Sequence, residues 1–415
     1  AHVLNMYRKW WTGLFFASML AEWLHLQLEG SINGTITILV HLFIVFFCCI
    51  FCHTALYRLK PSLQYLSWFY LCVAIGGALG GLFVNISAPM MFKDFWEYHL
   101  GLICSAGIGI AIVIGMQGFR HYYFKLTAII FISLITFLLT IDLMSSIKAS
   151  SGSIRNFYGV LQLDHSIIDD VRVTGLYNNS IMHGIQAKTD PYRYHPTGYY
   201  TSKSGIGHTF KYHPKRKRDI GLNAGVIGLG TGTLAAYGLK GDYIRFYEIN
   251  RDVIRIALDT RWFTYLNDSN AGVDIILGDA RLSLESELKK MGSNQFDIFV
   301  IDAFSGDSIP VHLLTIEAFE LYLSHLQDDG IIAVHISNRY IEFVPLFQAI
   351  MDHFGLWGIR VKAVGNGYHS DWILLHRDKQ FLKDLPVESE SQILDRSGAF
   401  KAWTDGRSSI WKLLK

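Results

Sequence analysis

The sequence divides sharply into an apolar first part and an ordinary soluble part, and this contrast most limits the folds open to the chain. Up to about residue 146 it is dominated by long apolar runs, and from Ser150 onward it has the composition of a soluble α/β domain. Crossing the hydrocarbon core of a bilayer takes ~20 apolar residues. We therefore expect an integral membrane protein, of the type found in bacterial inner membranes, with the lipid bilayer as a partner.

Five segments are long enough, or nearly so, to cross a membrane. They are Trp10–Leu28, Ile36–Leu56, Leu66–Val84, Leu100–Phe119 and Leu126–Leu143. The first is interrupted by Glu22 and His25, so it could instead lie at the membrane interface or face the inside of a helix bundle. We expect a transmembrane domain over residues 1–146, a small β-rich domain over 151–215 and a Rossmann-like domain over 220–415.

Two short motifs lie inside the apolar part. The glycines of Gly76–Gly81 are spaced four apart, which favours close packing of membrane helices. Cys49 and Cys52, followed by His53, match the C-x-x-C-H haem pattern. This match lies inside an apolar span, so packing is favoured over haem attachment. All five cysteines are in the apolar part, and no metal site is expected.

Charge limits both the partners and the orientation. The net charge is +2 and the one dense basic run, 215–218, is short, so no nucleic-acid partner is expected. Lys and Arg cluster before the first span, after the second and after the fourth, with Arg58 and Arg120 among them. Such clusters mark cytoplasmic loops. Five crossings would then place the soluble part outside the cytoplasm.

The soluble part alternates strands and helices, as a doubly wound sheet does. The predicted strands are Ala224–Ile227, Ile244–Glu248, Val273–Leu277, Phe296–Ile301 and Ile331–Ile336, with two further strands near Ile359–Val364 and Trp372–His376. Open α/β sheets bind ligands at the carboxyl ends of their strands. Polar and glycine residues at those ends are therefore the candidate site.

Glycines 228, 230 and 232 follow the first of these strands and let a ligand approach the backbone. We expect a helix to start at Thr233, with an N-terminus that favours negative charge. The NAD pattern G-x-G-x-x-G needs a third glycine at that same position, so G-x-G-x-G is more typical of a SAM-binding loop. The predicted architecture is an N-terminal transmembrane α-helical block of about five helices, followed by an α/β SAM-type Rossmann domain with a small preceding β domain.

Several stretches resemble the spermidine-synthase-like membrane proteins, which fuse a multi-spanning membrane domain to a spermidine synthase domain. They are Val226–Gly238, Phe246–Asn250, Gly278–Arg281 and Asp302–Pro310, with shorter matches at 156–160, 182–186, 196–200, 204–207 and 403–405. The resemblance implies SAM or decarboxylated SAM as the donor substrate and a polyamine as acceptor. It covers nearly the whole chain.

The resemblance also implies residue roles. Gly228, Gly230, Thr231 and Gly232 would form the donor loop, and Glu248 would hold the ribose. Asp279 and Ala280 would hold the adenine, and Asp302 would take the proton from the attacking amine, a role that suits a carboxylate. The substrate-side candidates are Gln186, Tyr199, Tyr200 and Asp307. Thr231 stands where the synthases have an Asp that contacts the donor's amine. The nucleoside half of the site therefore resembles the synthases more closely than the amine half does.

Two functions remain open. The leading hypothesis is a membrane-anchored aminopropyl or related transferase. The alternative is a non-catalytic structural or accessory subunit, in contact with other membrane subunits or further copies of itself, that keeps the spermidine synthase fold. Polyamine transport is a weaker hypothesis, because the spans have few charges apart from Glu22. His312, His325 and His335 are interpreted as structural residues.

Overall fold

The computed structural model describes residues 2–28, 34–114, 122–168, 170–179, 181–304, 309–365, 368–387, 389–396 and 400–415. The chain divides into two compact units, Ala1–Phe157 and Tyr158–Lys415.

The first unit is helical. Its elements are α1 (His2–Gln27), α2 (Gly34–Arg58), α3 (Leu66–Leu82), α4 (Ala88–Met91), α5 (Trp96–Ile114), α6 (Tyr122–Ala149) and a short last strand β1 (Ile154–Asn156). Among the described residues, four segments are long and apolar enough to cross a membrane: Ile36–Tyr57, Leu63–Met91, Trp96–Ile114 and Lys125–Lys148. These overlap the last four predicted spans, of which Leu100–Phe119 ends outside the described residues.

The first predicted span forms α1, but α1 is not among those four segments. Glu22 is fully buried and His25 is 5% exposed. Both side chains therefore face the inside of the bundle, which is one of the two placements expected for this segment. Phe15 of α1 stacks on Phe51 of α2 with ring centroids 4.2 Å apart, in an apolar core that also includes residues of α5 and α6.

The glycines of α3 have no packing partner in the described part of the chain. No described atom lies within 4 Å of where a Cβ would stand on Gly76, Gly77, Gly80 or Gly81. None of the residues of α3 is buried. The close helix packing predicted for this motif therefore stays a prediction.

The second unit begins with antiparallel strands β2 (Gly159–Ile168), β3 (Val171–Asn178) and β4 (Ile181–Ala187). Short 3-10 turns at Tyr192–Tyr194 and Gly198–Tyr200 follow, and then α7 (Gly205–Tyr212) and α8 (Pro214–Lys217). Gly184 on β4 has a φ of +141°, and a side chain there would overlap Thr231. This β-sheet therefore packs directly on the glycine loop.

A larger sheet makes up the rest of this unit. Its strands are β5 (Asn223–Ile227), β6 (Tyr243–Glu248), β7 (Gly272–Leu277), β8 (Phe296–Ile301), β9 (Leu326–His335), β10 (Trp357–Gly365), β11 (Tyr368–His376) and β12 (Glu390–Leu394). Its helices are α9 (Arg251–Leu258), α10 (Tyr265–Asp268), α11 (Ala280–Met291), α12 (Ile316–Ser324), α13 (Val344–Phe354) and α14 (Lys379–Asp384). The seven predicted strands of the soluble part all form, with end points within a few residues of those expected.

The strand order is β12-β10-β11-β9-β8-β5-β6-β7. Strands β5 to β9 are parallel, and β11 lies antiparallel between β9 and β10. This reversed strand distinguishes the sheet from the all-parallel order 3-2-1-4-5-6 of dinucleotide-binding domains. The order changes direction between β5 and β8, which is where doubly wound sheets bind ligands. The predicted order of the two parts, a helical region followed by a doubly wound α/β domain, is confirmed.

The prediction of a helix that begins at Thr233 is wrong. Residues Thr233–Tyr237 form only a single 3-10 segment. Gly238 ends it, and Gly241 then turns the chain with a φ of +92° toward β6. With no α-helix after the glycine loop, a helix N-terminus cannot supply the favourable potential expected there.

Candidate active site

The candidate residues meet at one edge of the parallel sheet. Gly228 directly follows β5, Glu248 ends β6, Asp302 directly follows β8 and His335 ends β9. Backbone hydrogen bonds continue past the strand ends and keep them in register: the N–H of Gly228 donates to the carbonyl of Tyr247 at 2.9 Å. Parallel strands end at the same edge, so these side chains lie side by side.

The glycine loop needs glycine at each of its three positions. The φ angles of Gly228, Gly230 and Gly232 are +97°, +53° and +78°. A Cβ on Gly228 would overlap the carbonyl of Asp302, and one on Gly230 would overlap the carbonyl of His183. The glycines therefore serve close packing within the protein as well as the exposure of backbone to a ligand.

Thr231, at the position where the resemblance would place an acid, is 1% exposed. Its hydroxyl lies 2.8 Å from that of Thr233 and it packs against Gly184. This side chain is neutral and is occupied by neighbouring protein groups. It offers no charge to a ligand.

Glu248 joins the end of β6 to the glycine loop. One carboxylate oxygen accepts from the N–H of Leu229 at 3.0 Å, and the other accepts from the N–H of Asn250 at 2.8 Å. Burial raises the pKa of Glu248, and these backbone hydrogen bonds oppose the rise. The backbone N–H of Ile249 also contributes to this lowering. A carboxylate has about four acceptor positions, so backbone groups occupy most of those of Glu248.

Asp279 caps the next helix and also meets a histidine. One of its oxygens accepts from the N–H of Leu282 at 3.0 Å, as an N-cap of α11 should. The other lies 3.1 Å from Nε2 of His312, whose side chain is half exposed. Ala280 is buried. Asp279 therefore keeps partial access to solvent, and His312 lies beside it.

Asp302 forms a buried pair with His335. Nδ1 of His335 lies 2.7 Å from Oδ1 of Asp302, and their side chains are only 4% and 9% exposed. Nε2 of His335 lies 2.8 Å from the hydroxyl of Ser337, which in turn accepts from the N–H of Asp371 at 2.9 Å. Since the serine hydroxyl is then free to donate to Nε2, the network assigns the histidine proton to Nδ1 and aims it at Asp302.

Tyr200 is a second partner of Asp302. Burial raises the pKa of Tyr200 well above its usual value, and the charge of Asp302 and a hydrogen bond to it act in the same direction. The phenol therefore stays protonated and donates to the carboxylate. His183 also faces Asp302, and burial lowers the pKa of this histidine. Asp302 is thus held in place by hydrogen bonds to Tyr200 and His335.

Aromatic rings surround this pair. Trp372 stacks on His335 with centroids 4.5 Å apart, and Phe304 and Tyr199 lie 5.1 Å and 5.3 Å from the same ring. Tyr368 lies 5.6 Å from Tyr199. Aromatic faces beside a carboxylate form an environment that favours an organic cation.

The remaining predicted substrate residues differ in their placement. Tyr199 and Tyr200 lie beside the buried pair. The side-chain amide of Gln186 instead joins three protein groups: it donates to the carbonyl of Arg193 at 2.8 Å and to the hydroxyl of Thr264 at 2.9 Å, and it accepts from the N–H of Thr264 at 2.7 Å. Asp307 lies outside the described residues. Among the residues that the structure does describe, no group of His, Cys, Asp and Glu could hold a metal ion.

Two of the three histidines interpreted as structural lie at the site. His335 pairs with Asp302 and His312 with Asp279, whereas His325 is buried between the carbonyl of Leu284 and the N–H of Asn294. A usable signal was present for His335, because it ends the strand that follows Asp302 in the chain. Ligands bind at the carboxyl ends of strands in open α/β sheets, and this rule, which singles out Glu248 and Asp302, applies equally to His335.

No protein-family model matches the sequence. Over 130 residues the chain is 32% identical to an N-terminal histidine N-methyltransferase of Emericella nidulans, a match that covers 30% of this chain and 22% of that protein. The chain therefore spans about a fifth of the length of this curated relative.

Solved structures with a similar arrangement include a probable spermidine synthase from Corynebacterium glutamicum, at 16% identity, over 62% of this chain and 97% of that one, with a TM-score of 0.42. An O-methyltransferase from Bacillus cereus, in complex with SAH, matches at 16% identity over 41% and 84% of the two chains, with a TM-score of 0.28. The fold assignment above depends on the strand order of this chain itself.

Proposed function

We propose that this protein is a membrane-anchored transferase that binds SAM or decarboxylated SAM and transfers an aminopropyl or related alkyl group to an amine. One observation carries the proposal: the glycine loop, Glu248, Asp279 and Asp302 follow four adjacent parallel strands and line one edge of the sheet. The likeness to an N-methyltransferase, a spermidine synthase and an O-methyltransferase supports the same class of reaction.

The nucleoside half would use the residues of β5, β6 and β7. Glu248 would accept from a ribose hydroxyl through the acceptor capacity that its backbone partners leave. Asp279 has an oxygen beside His312 that could accept from the adenine amino group. The three glycines let the chain of the donor pass close to the backbone.

The amine half would use Asp302 and the rings around it. An alkylammonium must lose a proton before its nitrogen can attack, and a carboxylate both attracts the cation and accepts that proton. The nitrogen then forms a bond to the carbon on sulfur, the carbon–sulfur bond breaks, and the thioether nucleoside leaves with the electron pair. Tyr199 and Phe304, which are partly exposed, would hold the cation by their faces.

Transfer can be tested by incubating the purified full chain with labelled SAM or labelled decarboxylated SAM and a panel of diamines and histidine peptides. We expect mass spectrometry to find one labelled product together with the matching thioether nucleoside. Asp302→Asn should lower the rate by about 10²-fold or more. Asp328→Asn is the matched control, because Asp328 is fully exposed at the opposite end of β9.

A folded protein that binds the nucleoside but transfers nothing to any amine would favour the alternative, an accessory subunit that keeps the fold. The neutral, buried Thr231 is the observation that favours this second function, because it leaves the donor's amine without the acid that the resemblance would place there.

A further inference from the structure

A group of ionisable side chains lies inside the helical unit and plays no part in the function proposed above. Glu22 and His25 are on α1, His41 is on α2 and Tyr98 is on α5. Glu22 is fully buried and His25 is 5% exposed, whereas the side chain of His41 is 43% exposed. The group therefore has a buried acid at one side and an accessible imidazole at the other.

The distances connect these groups into one cluster. Nδ1 of His41 lies 3.2 Å from a carboxylate oxygen of Glu22 and 3.4 Å from the hydroxyl of Tyr98. The ring of His25 lies 5.0 Å from that of His41. The hydroxyl of Tyr98 also faces Glu22, but neither oxygen of Glu22 accepts a hydrogen bond of strict geometry from a described residue.

Burial makes the charge state of Glu22 important. An ionised carboxylate without hydrogen bonds is costly to remove from water, so it needs a proton or a cationic partner. No Lys or Arg in the described part of the chain lies within ion-pair distance of Glu22; the imidazole of His41 does. A protonated His41 or a proton on Glu22 itself can satisfy this requirement.

The other polar groups nearby have their own partners or lie farther along the helices. His99 of α5 lies 2.9 Å from Asp142 of α6, and Gln27 of α1 donates to the same carboxylate at 3.3 Å. Cys48, two helical turns beyond His41 on α2, interacts weakly with the charge of Glu22. Among the described residues, Cys48, His99 and Asp142 are thus the nearby titratable groups on α2, α5 and α6.

His41 lies near one end of its candidate span. His41 is five residues from the start of the candidate span at Ile36, about 8 Å along the helix axis. Ionisable residues this far inside a helical membrane bundle usually mark a pathway for ions or protons.

We propose that Glu22, His41, His25 and Tyr98 form a proton-binding site inside the helical unit, and that His41 exchanges protons between Glu22 and the outside. His41 takes a proton from water on Nε2. Its Nδ1–H bond then breaks as an O–H bond forms on Glu22, which leaves a neutral imidazole and a neutral acid. Tyr98 lies within reach of both partners and orients them.

Infrared difference spectra of the full chain in lipid nanodiscs, recorded between pH 8 and pH 5, test the site. We expect a carboxylic acid C=O band that is lost in Glu22→Gln and that changes frequency in His41→Gln. On transfer to D₂O the frequency of this band should shift as the acid proton exchanges for deuterium. This exchange should be fast in the wild type and about tenfold slower in His41→Gln. His53→Gln is the matched control, because His53 is exposed on the same helix.

Asp142→Asn should leave this band in place, because Asp142 pairs with His99. Size-exclusion profiles and melting temperatures establish that each variant is folded. The proposal is overturned if folded Glu22→Gln gives the wild-type difference spectrum, or if His41→Gln changes neither the frequency nor the exchange rate of the band. Because donor binding by the second unit is not measured, these outcomes are independent of the transferase proposal.

Discussion

At the residue scale, the pairing of Asp302 with His335 changes what the sequence alone implies about the reaction. The sequence singles out Asp302 as an isolated base. The structure shows a carboxylate fixed by an imidazole, which is itself fixed by Ser337 and by the indole of Trp372. His335 is therefore a positioning residue, and its removal should affect stability as well as chemistry.

Replacing His335 separates these effects. His335→Leu leaves a buried carboxylate without its main donor, and breaking such a pair costs about 3 kcal/mol. His335→Asn keeps an N–H near the position of Nδ1 and should cost less than half of that. Chemical denaturation of the full chain in detergent measures both changes in the free energy of unfolding. Equal losses for the two variants would mean that the hydrogen bond to Asp302 contributes little.

Glu248 predicts a pH dependence of nucleoside affinity. Burial raises its pKa, so on acidification this carboxyl takes up a proton at a higher pH than an ordinary glutamate. The protonated form loses acceptor positions, and affinity should therefore fall as the pH drops. Titrations across pH 4 to 8 should show this fall in the wild type and in Glu320→Gln, an exposed control on α12, and no fall in Glu248→Gln. The same fall in Glu248→Gln would assign the dependence to another group.

At the scale of elements, the glycine loop after β5 packs against the backbone of His183 and of Asp302. Alanine substitutions at two glycines test whether this close packing is needed. Gly228 and Gly241 have similar φ angles, +97° and +92°, so alanine strains the backbone at both. Only at Gly228 does a Cβ also overlap a backbone carbonyl, that of Asp302. Gly228→Ala should abolish nucleoside binding and lower the melting temperature, whereas Gly241→Ala should keep binding with a stability loss of about 1–2 kcal/mol. Calorimetry and thermal melts measure the two effects, and retained binding in Gly228→Ala would contradict this account of the loop.

The elements that could be predicted from sequence are those with local signals. Short apolar runs predict strands β5 to β8, because strands covered on both faces of a parallel sheet have continuous apolar sequences, and the glycine or acid after each run predicts where the strand ends. The 3-10 segment after Gly232 could not be predicted from the sequence. Gly238 ends it, but whether a glycine ends a helix depends on the surrounding structure. The position of His335 at the end of β9 can be recognised from the sequence, but its pairing with Asp302 cannot, because the contact joins residues 33 positions apart.

At the scale of the whole molecule, the orientation in the membrane decides which donor is available. If the four candidate segments cross a membrane, three crossings separate the basic cluster of Arg58 and Lys60 from residue 415, whether or not α1 crosses. Such a cluster marks the cytoplasmic side, so residue 415 is then expected outside the cytoplasm. A reporter fused at residue 415 should then be active only outside the cytoplasm. A cytoplasmic reporter would instead place the second unit where SAM is made.

The central claim is that the strand ends bind a nucleoside, and calorimetry tests it most directly. The purified full chain would be titrated with SAM, decarboxylated SAM and methylthioadenosine at neutral pH. We predict binding of at least one of them at one site per chain, weakened about tenfold or more in Glu248→Gln by the loss of charge-assisted hydrogen bonds, and unchanged in Glu320→Gln. Folded protein that binds none of the three nucleosides would contradict the account.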